Sequence, residues 1–78
     1  MDWRERIHKD PKIMGGKPVV KGFRITVELI LEYLEDGATW ADVLVAFDHL
    51  TDADIRAAIA YARAVVAEAT TAPQKQAA

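Results

Sequence analysis

No cysteine occurs in this chain of 78 residues. Neither a disulfide nor a thiolate metal site can therefore supply stability, and redox chemistry does not assign a compartment. No apolar run approaches the roughly 18 residues that a membrane span requires. The opening Met1-Asp2-Trp3-Arg4-Glu5-Arg6 also lacks the apolar segment of a secretory leader, so a cytoplasmic location is expected. Histidine is scarce: His8 and His49 stand far apart, which favours structural or solvent roles over a metal pair. Also missing are a nucleophile beside a base, a matched acid pair and a cluster of metal ligands. The chain reads as a non-enzyme without a cofactor.

What is present is ordinary globular composition, 51% hydrophobic and 28% charged, which argues for a folded chain. A chain this short buries only about 60% of its unfolded surface, so a partner or a second copy is expected to help stabilise it. The net charge of −2 hides two halves of opposite sign. Up to Arg24, seven cations face three acids, giving +4; beyond it, Arg56, Arg63 and Lys75 face nine acids, giving −6. Any contact with a polyanion belongs to the first half.

That first half is also where turn chemistry concentrates. Asp10-Pro11 and Gly15-Gly16 punctuate the backbone, while Pro18-Val19-Val20 and Arg24-Ile25-Thr26-Val27 favour extended geometry. Residues 1–26 therefore read as a basic β-arm feeding a helical body at 27–69, with a flexible tail at 70–78, in a single folded domain. In the body, Val27, Ile30, Leu31 and Leu34 fall on one helical stripe over 27–36, and Gly37 is the stop. Thr39 with Asp42 predicts a capped second helix whose core face is Trp40, Val43, Leu44 and Phe47. Thr51-Asp52-Ala53-Asp54 repeats that logic and opens a third, alanine-rich helix, with Ile55, Ile59, Ala62 and Val66 predicted to face inward. The expected fold is mainly α: a three-helix, helix-turn-helix-like body with a short N-terminal β-arm.

The run Asp-Pro-x-Ile-x-Gly-Gly-Lys-Pro-Val-Val-Lys-Gly-x-Arg-Ile-x-Val from Asp10 is followed by a Gly-x-Thr turn, Leu50-Thr51 and an Ile-x-x-Ala-x-x-Tyr-Ala helix. From about Ile7 to Ala62 this resembles the bacterial domain-of-unknown-function family numbered 433. The resemblance implies an antitoxin-like protein, often paired with a PIN-like nuclease toxin. It departs from the family at Phe23, where threonine is usual between the glycine and the arginine.

Three candidate sites follow. Gly15-Gly16-Lys17 invites a phosphate-loop reading, but Lys17 is followed by Pro18 and an extended run instead of Ser or Thr and a helix, so a tight turn is expected. Lys17, Lys21 and Arg24 are candidates for contact with phosphate or with an acidic cleft, as well as ordinary solubilising surface charge. Against an acidic cleft of metal-binding carboxylates, an inserted arginine or lysine could displace the metal. Arg56 and Arg63 are the body's own candidates for nucleic-acid or partner contact. Asp52 and Asp54 at the start of helix three would repel phosphate, so groove reading by that helix alone is disfavoured and DNA binding would need the arm or a dimer. Strand pairing between two arms makes a homodimer the expected state. The leading expectation is an antitoxin-like component that inhibits a PIN-like ribonuclease, with autorepression of its operon as a further expectation; the alternative is a stand-alone dimeric DNA-binding regulator.

Overall fold

The computed structural model describes residues 1–71. A 3-10 turn at Trp3–Glu5 leads into strand β1 (Ile7–His8), a tight turn at Met14–Gly16 and strand β2 (Val19–Val20). Helices α1 (Val27–Glu35), α2 (Trp40–Ala46) and α3 (Asp52–Thr71) follow. The fold is mainly α, with three helices and a short antiparallel sheet in which Ile7 faces Val20 and His8 faces Val19. Val19 also bridges Thr26, so the chain doubles back through a second tight turn before α1 begins.

The apolar side of the segment read as an arm lies inside the core. Ile7 and Val20 share one cluster with Val27, Ile30, Val43, Leu50, Ile55, Ala57 and Ala58. The 3-10 turn and β1 pack on α3, and the Trp3 ring meets Tyr61 edge-on at 4.8 Å. For a chain with so little surface to bury, recruiting these residues enlarges the core that three short helices would otherwise make alone.

Each helix starts on a threonine. Thr26 Oγ1 accepts from the Leu29 amide at 3.0 Å, so Thr26 caps α1 instead of continuing the extended run predicted through Val27. α1 ends at Glu35, one residue before the predicted limit; Gly37, at φ 99°, takes the left-handed position beyond the cap and donates to the Leu34 carbonyl at 3.1 Å. Thr39 and Asp42 form the predicted reciprocal cap of α2, with Asp42 accepting from the Thr39 amide at 2.8 Å and donating its own amide to Thr39 Oγ1 at 3.1 Å. The backbone hydrogen bond from Thr39, and then its side-chain hydrogen bond, hold the Asp42 carboxyl below its ordinary pKa. A lowered folded pKa stabilises above the unfolded value and is lost as pH falls through the folded one. Asp42→Asn should therefore lower Tm at neutral pH, and the gap to the native chain should close in acid; circular-dichroism melts across pH check this.

α3 keeps part of its predicted face, with Ile55 buried and Ala62 half-buried, and departs from the rest. Asp54, Ile55, Ala57 and Ala58 are buried and Tyr61 is half-buried, whereas Ile59 and Val66, predicted inward, are exposed. The inner stripe is built on alanines because α1, β1 and the 3-10 turn all press on this helix, and a methyl group lets their backbones approach. α3 continues to Thr71, past the predicted end at 69, and the rest of the predicted tail lies outside the described residues. No helix among the described residues is long and apolar enough to cross a membrane.

Candidate functional site

The turn after β2 carries two of the predicted cations. The Val20 carbonyl accepts from the Phe23 amide at 3.0 Å, the Val20 amide donates to the Ile25 carbonyl at 3.0 Å, and the Lys21 amide donates to the Arg6 carbonyl at 2.8 Å. Gly22 has φ 85° and Lys21 is not among the positive-φ residues, the pattern of a type II turn with glycine at its third position. A side chain at position 22 would meet no neighbour, so glycine is there for its backbone freedom. Lys21 and Arg24 are both exposed, and among the described residues neither makes an ion pair. Two unpaired cations are thus presented by a backbone already held in place.

Phe23, standing where threonine was expected, is half-buried. Its ring lies nearly parallel to that of His49, with centroids 6.3 Å apart and planes 14° from parallel. The aromatic side chain docks the cationic tip against the turn between α2 and α3. Any contact that a threonine hydroxyl would make at this position is absent, and the Phe23 ring packs on the core instead.

The other three candidates are placed differently. Lys17 Nζ pairs with Glu28 Oε1 at 2.9 Å, so its charge is answered by α1, though both side chains are exposed and the pair is weak. Arg56 Nε donates to Asp52 Oδ2 at 2.8 Å, and its guanidinium stands 5.8 Å from the Trp40 ring centre. The Asp52 carboxyl is held below its ordinary pKa chiefly by that hydrogen bond from Arg56. Arg63 is exposed on α3 and makes no ion pair among the described residues. Lys21 and Arg24 are therefore the pair that the structure brings together on one turn.

One reading from the sequence acquires a physical explanation and another is corrected. The Gly16 amide donates to the Ile13 carbonyl at 3.0 Å and the Lys17 amide to the Met14 carbonyl at 3.3 Å, so the turn uses amides that a phosphate cradle would need free. At the start of α3, Asp52 accepts from Trp40 Nε1 at 2.8 Å and Asp54 accepts from Arg6 Nη1 at 3.0 Å. The first turn of that helix is thus tied to α2 and to the N-terminal segment: Asp54 is buried and answered by Arg6, so it does not face phosphate as predicted, while Asp52 stays exposed. Sequence reasoning did not single out Arg6: the threonine-aspartate cap at Thr51 is visible locally, but a partner 48 residues away is not. Among the described residues no group of three or more His, Cys, Asp or Glu could hold a metal ion.

The sequence profile of the family described as protein of unknown function (DUF433) matches residues 7–62. The chain belongs to this family. No curated protein and no solved structure matches it. In this DUF433 chain the matched span includes both strands, the cationic tip and the three helix caps, and it stops at Ala62, within α3. The last stretch of α3 therefore lies beyond the part matched to the family.

Proposed function

We propose that this DUF433 protein is an antitoxin-like component of a bacterial toxin–antitoxin pair, a cytoplasmic homodimer that inhibits a PIN-like ribonuclease by binding it. The observation that carries this reading furthest is the unpaired pair Lys21 and Arg24 on a hydrogen-bonded tip. In a cleft of metal-binding carboxylates, Arg24 supplies a planar fork for bidentate contact and Lys21 a compact second charge. Together they neutralise the charge that would otherwise hold the metal. The same cations suit phosphate, which accounts for autorepression of the operon by DNA binding with the tip instead of the first turn of α3. The role is binding, without catalysis.

The test is to co-express the chain with the product of the adjacent reading frame, tag one of them, and follow co-elution and growth. A toxic neighbour that co-elutes and is neutralised supports the reading; a harmless neighbour that does not bind overturns it and leaves the stand-alone DNA regulator. Replacing Lys21 and Arg24 together by alanine should weaken inhibition by about a hundredfold or more, since charge-assisted contacts contribute about 1.5–3 kcal/mol each. The Tm should stay unchanged because neither side chain has an internal partner to lose. On operator DNA, the log-log salt slope should flatten by about two, one for each phosphate contact removed. Unchanged inhibition and unchanged DNA binding in the double variant would eliminate the tip as the site.

A further inference from the structure

The groove between α1 and α3 is a second surface, and the cationic tip does not line it. Its volume is about 710 Å³; Leu31, Tyr61, Ala62 and Val65 form an apolar floor, and Glu28, Glu32 and Glu35 line its α1 side. α3 outruns α1 here. At about 1.5 Å per residue, twenty residues span roughly 30 Å against about 14 Å for the nine of α1. From residue 65 to 69 every side chain is exposed, and Val65, 46% exposed, continues the floor beyond the last packed turn.

The rim determines what can lie in this groove. Glu28 and Glu32 are like charges four residues apart, and Glu32 stands three from Glu35 and four from Asp36. The last turn of α1 carries no basic residue, so Glu32, Glu35 and the C-cap Asp36 sit at the negative end of the helix dipole. Lys17 answers Glu28; among the described residues Glu32 and Glu35 have no ion pair. A second copy docked groove to groove, as a twofold symmetric pair on this surface requires, would bring the same carboxylates against them.

We propose that this groove is a docking site for a basic amphipathic helix of a protein partner, its apolar stripe on Leu31, Tyr61 and Val65 and its Lys or Arg side chains on Glu32 and Glu35. Apolar anchors in a groove supply affinity, and the flanking cations relieve the charge crowding on α1. The site stands apart from the nuclease reading, since Lys21 and Arg24 do not line it.

The test uses the whole chain and a synthetic helical peptide of about four turns, with leucines at helical spacing and lysines elsewhere, followed by amide NMR of the labelled protein. One control peptide replaces lysine by glutamate; another scrambles the leucines. Saturable binding is expected, with shifts confined to α1 and the second half of α3, and with each control at least about tenfold weaker. Glu32→Lys with Glu35→Lys should weaken binding by about tenfold while raising the Tm of the free protein, because the same substitution removes the repulsion at the helix end. Leu31→Asp should abolish the binding. Equal binding by the scrambled peptide, or shifts spread over acids elsewhere, would overturn the proposal in favour of general charge attraction. Dilution-dependent shifts of the groove resonances in the free protein, lost in Leu31→Asp, would overturn it in favour of a second copy.

Discussion

Ile55→Ala should destabilise the protein by about 3 kcal/mol, within the range for truncating a large apolar side chain in a packed core. Ile55 is 0% exposed and sits in the cluster that joins α3 to α1, α2, β1 and β2. A chain of this length has a total stability on the order of 4–12 kcal/mol, so this single change removes a large share of it. Ile59 is 37% exposed. Ile59→Ala should therefore cost less than about 1 kcal/mol. Urea unfolding of both variants checks the pair: the midpoint should fall sharply for Ile55→Ala and little for Ile59→Ala, with the m-value unchanged. Equal losses would mean that the inward face of α3 is the one predicted from hydropathy, not the one described above.

Asp54→Ala should be the other severe change. One carboxylate oxygen accepts from the Thr51 amide at 2.9 Å and from the Thr51 hydroxyl at 3.1 Å, while the other accepts from Arg6 Nη1 at 3.0 Å. The side chain of Asp54 is 9% exposed and that of Arg6 is 42% exposed. Removing the acid loses a helix cap and a buried acceptor, for a combined cost of about 2–3 kcal/mol. Arg6→Ala should cost less, about 1–2 kcal/mol, because Asp54 keeps both Thr51 donors and water already reaches the guanidinium side. A double-mutant cycle isolates the pair, with an expected coupling of about 1 kcal/mol. Hydrogen exchange supplies an independent readout. If the ion pair fastens the N-terminal segment to α3, amides in β1 and β2 should lose protection in Arg6→Ala before those of α1 do. A coupling near zero, with β1 protection intact, would show that apolar packing of Ile7 and Trp3 holds the segment by itself.

These two predictions rest on features of very different legibility. The helix boundaries could be read because their signals are local: Thr39 with Asp42, Thr51 with Asp54, and Gly37 each act within three or four residues. Asp10-Pro11 and Gly15-Gly16 were legible as turns in the same way, but the turn at Gly22 that carries Lys21 and Arg24 was not singled out. The inward face of α3 was legible only in part. Ala57 and Ala58 are buried but contribute little to a hydropathy pattern, so the larger Ile59 and Val66 drew the stripe toward themselves. Asp54 read as an exposed acid facing phosphate because its counter-charge, Arg6, lies 48 residues earlier. Lys17 read as an equal of Lys21 until α1 folded Glu28 onto it from 11 residues away.

The sequence by itself determined the number of helices, where each starts, the positive first half and the family to which the chain is related. These follow from capping chemistry, hydrophobic period and residue order, which neighbouring residues specify. Tertiary structure alone decided that the β segment lies in the core, which side of α3 is inside, which cations remain unpaired, and that an acid-rimmed apolar groove runs between α1 and α3. Each of those depends on contacts between residues distant in sequence, where close packing and charge pairing select one partner among several that local patterns leave equivalent.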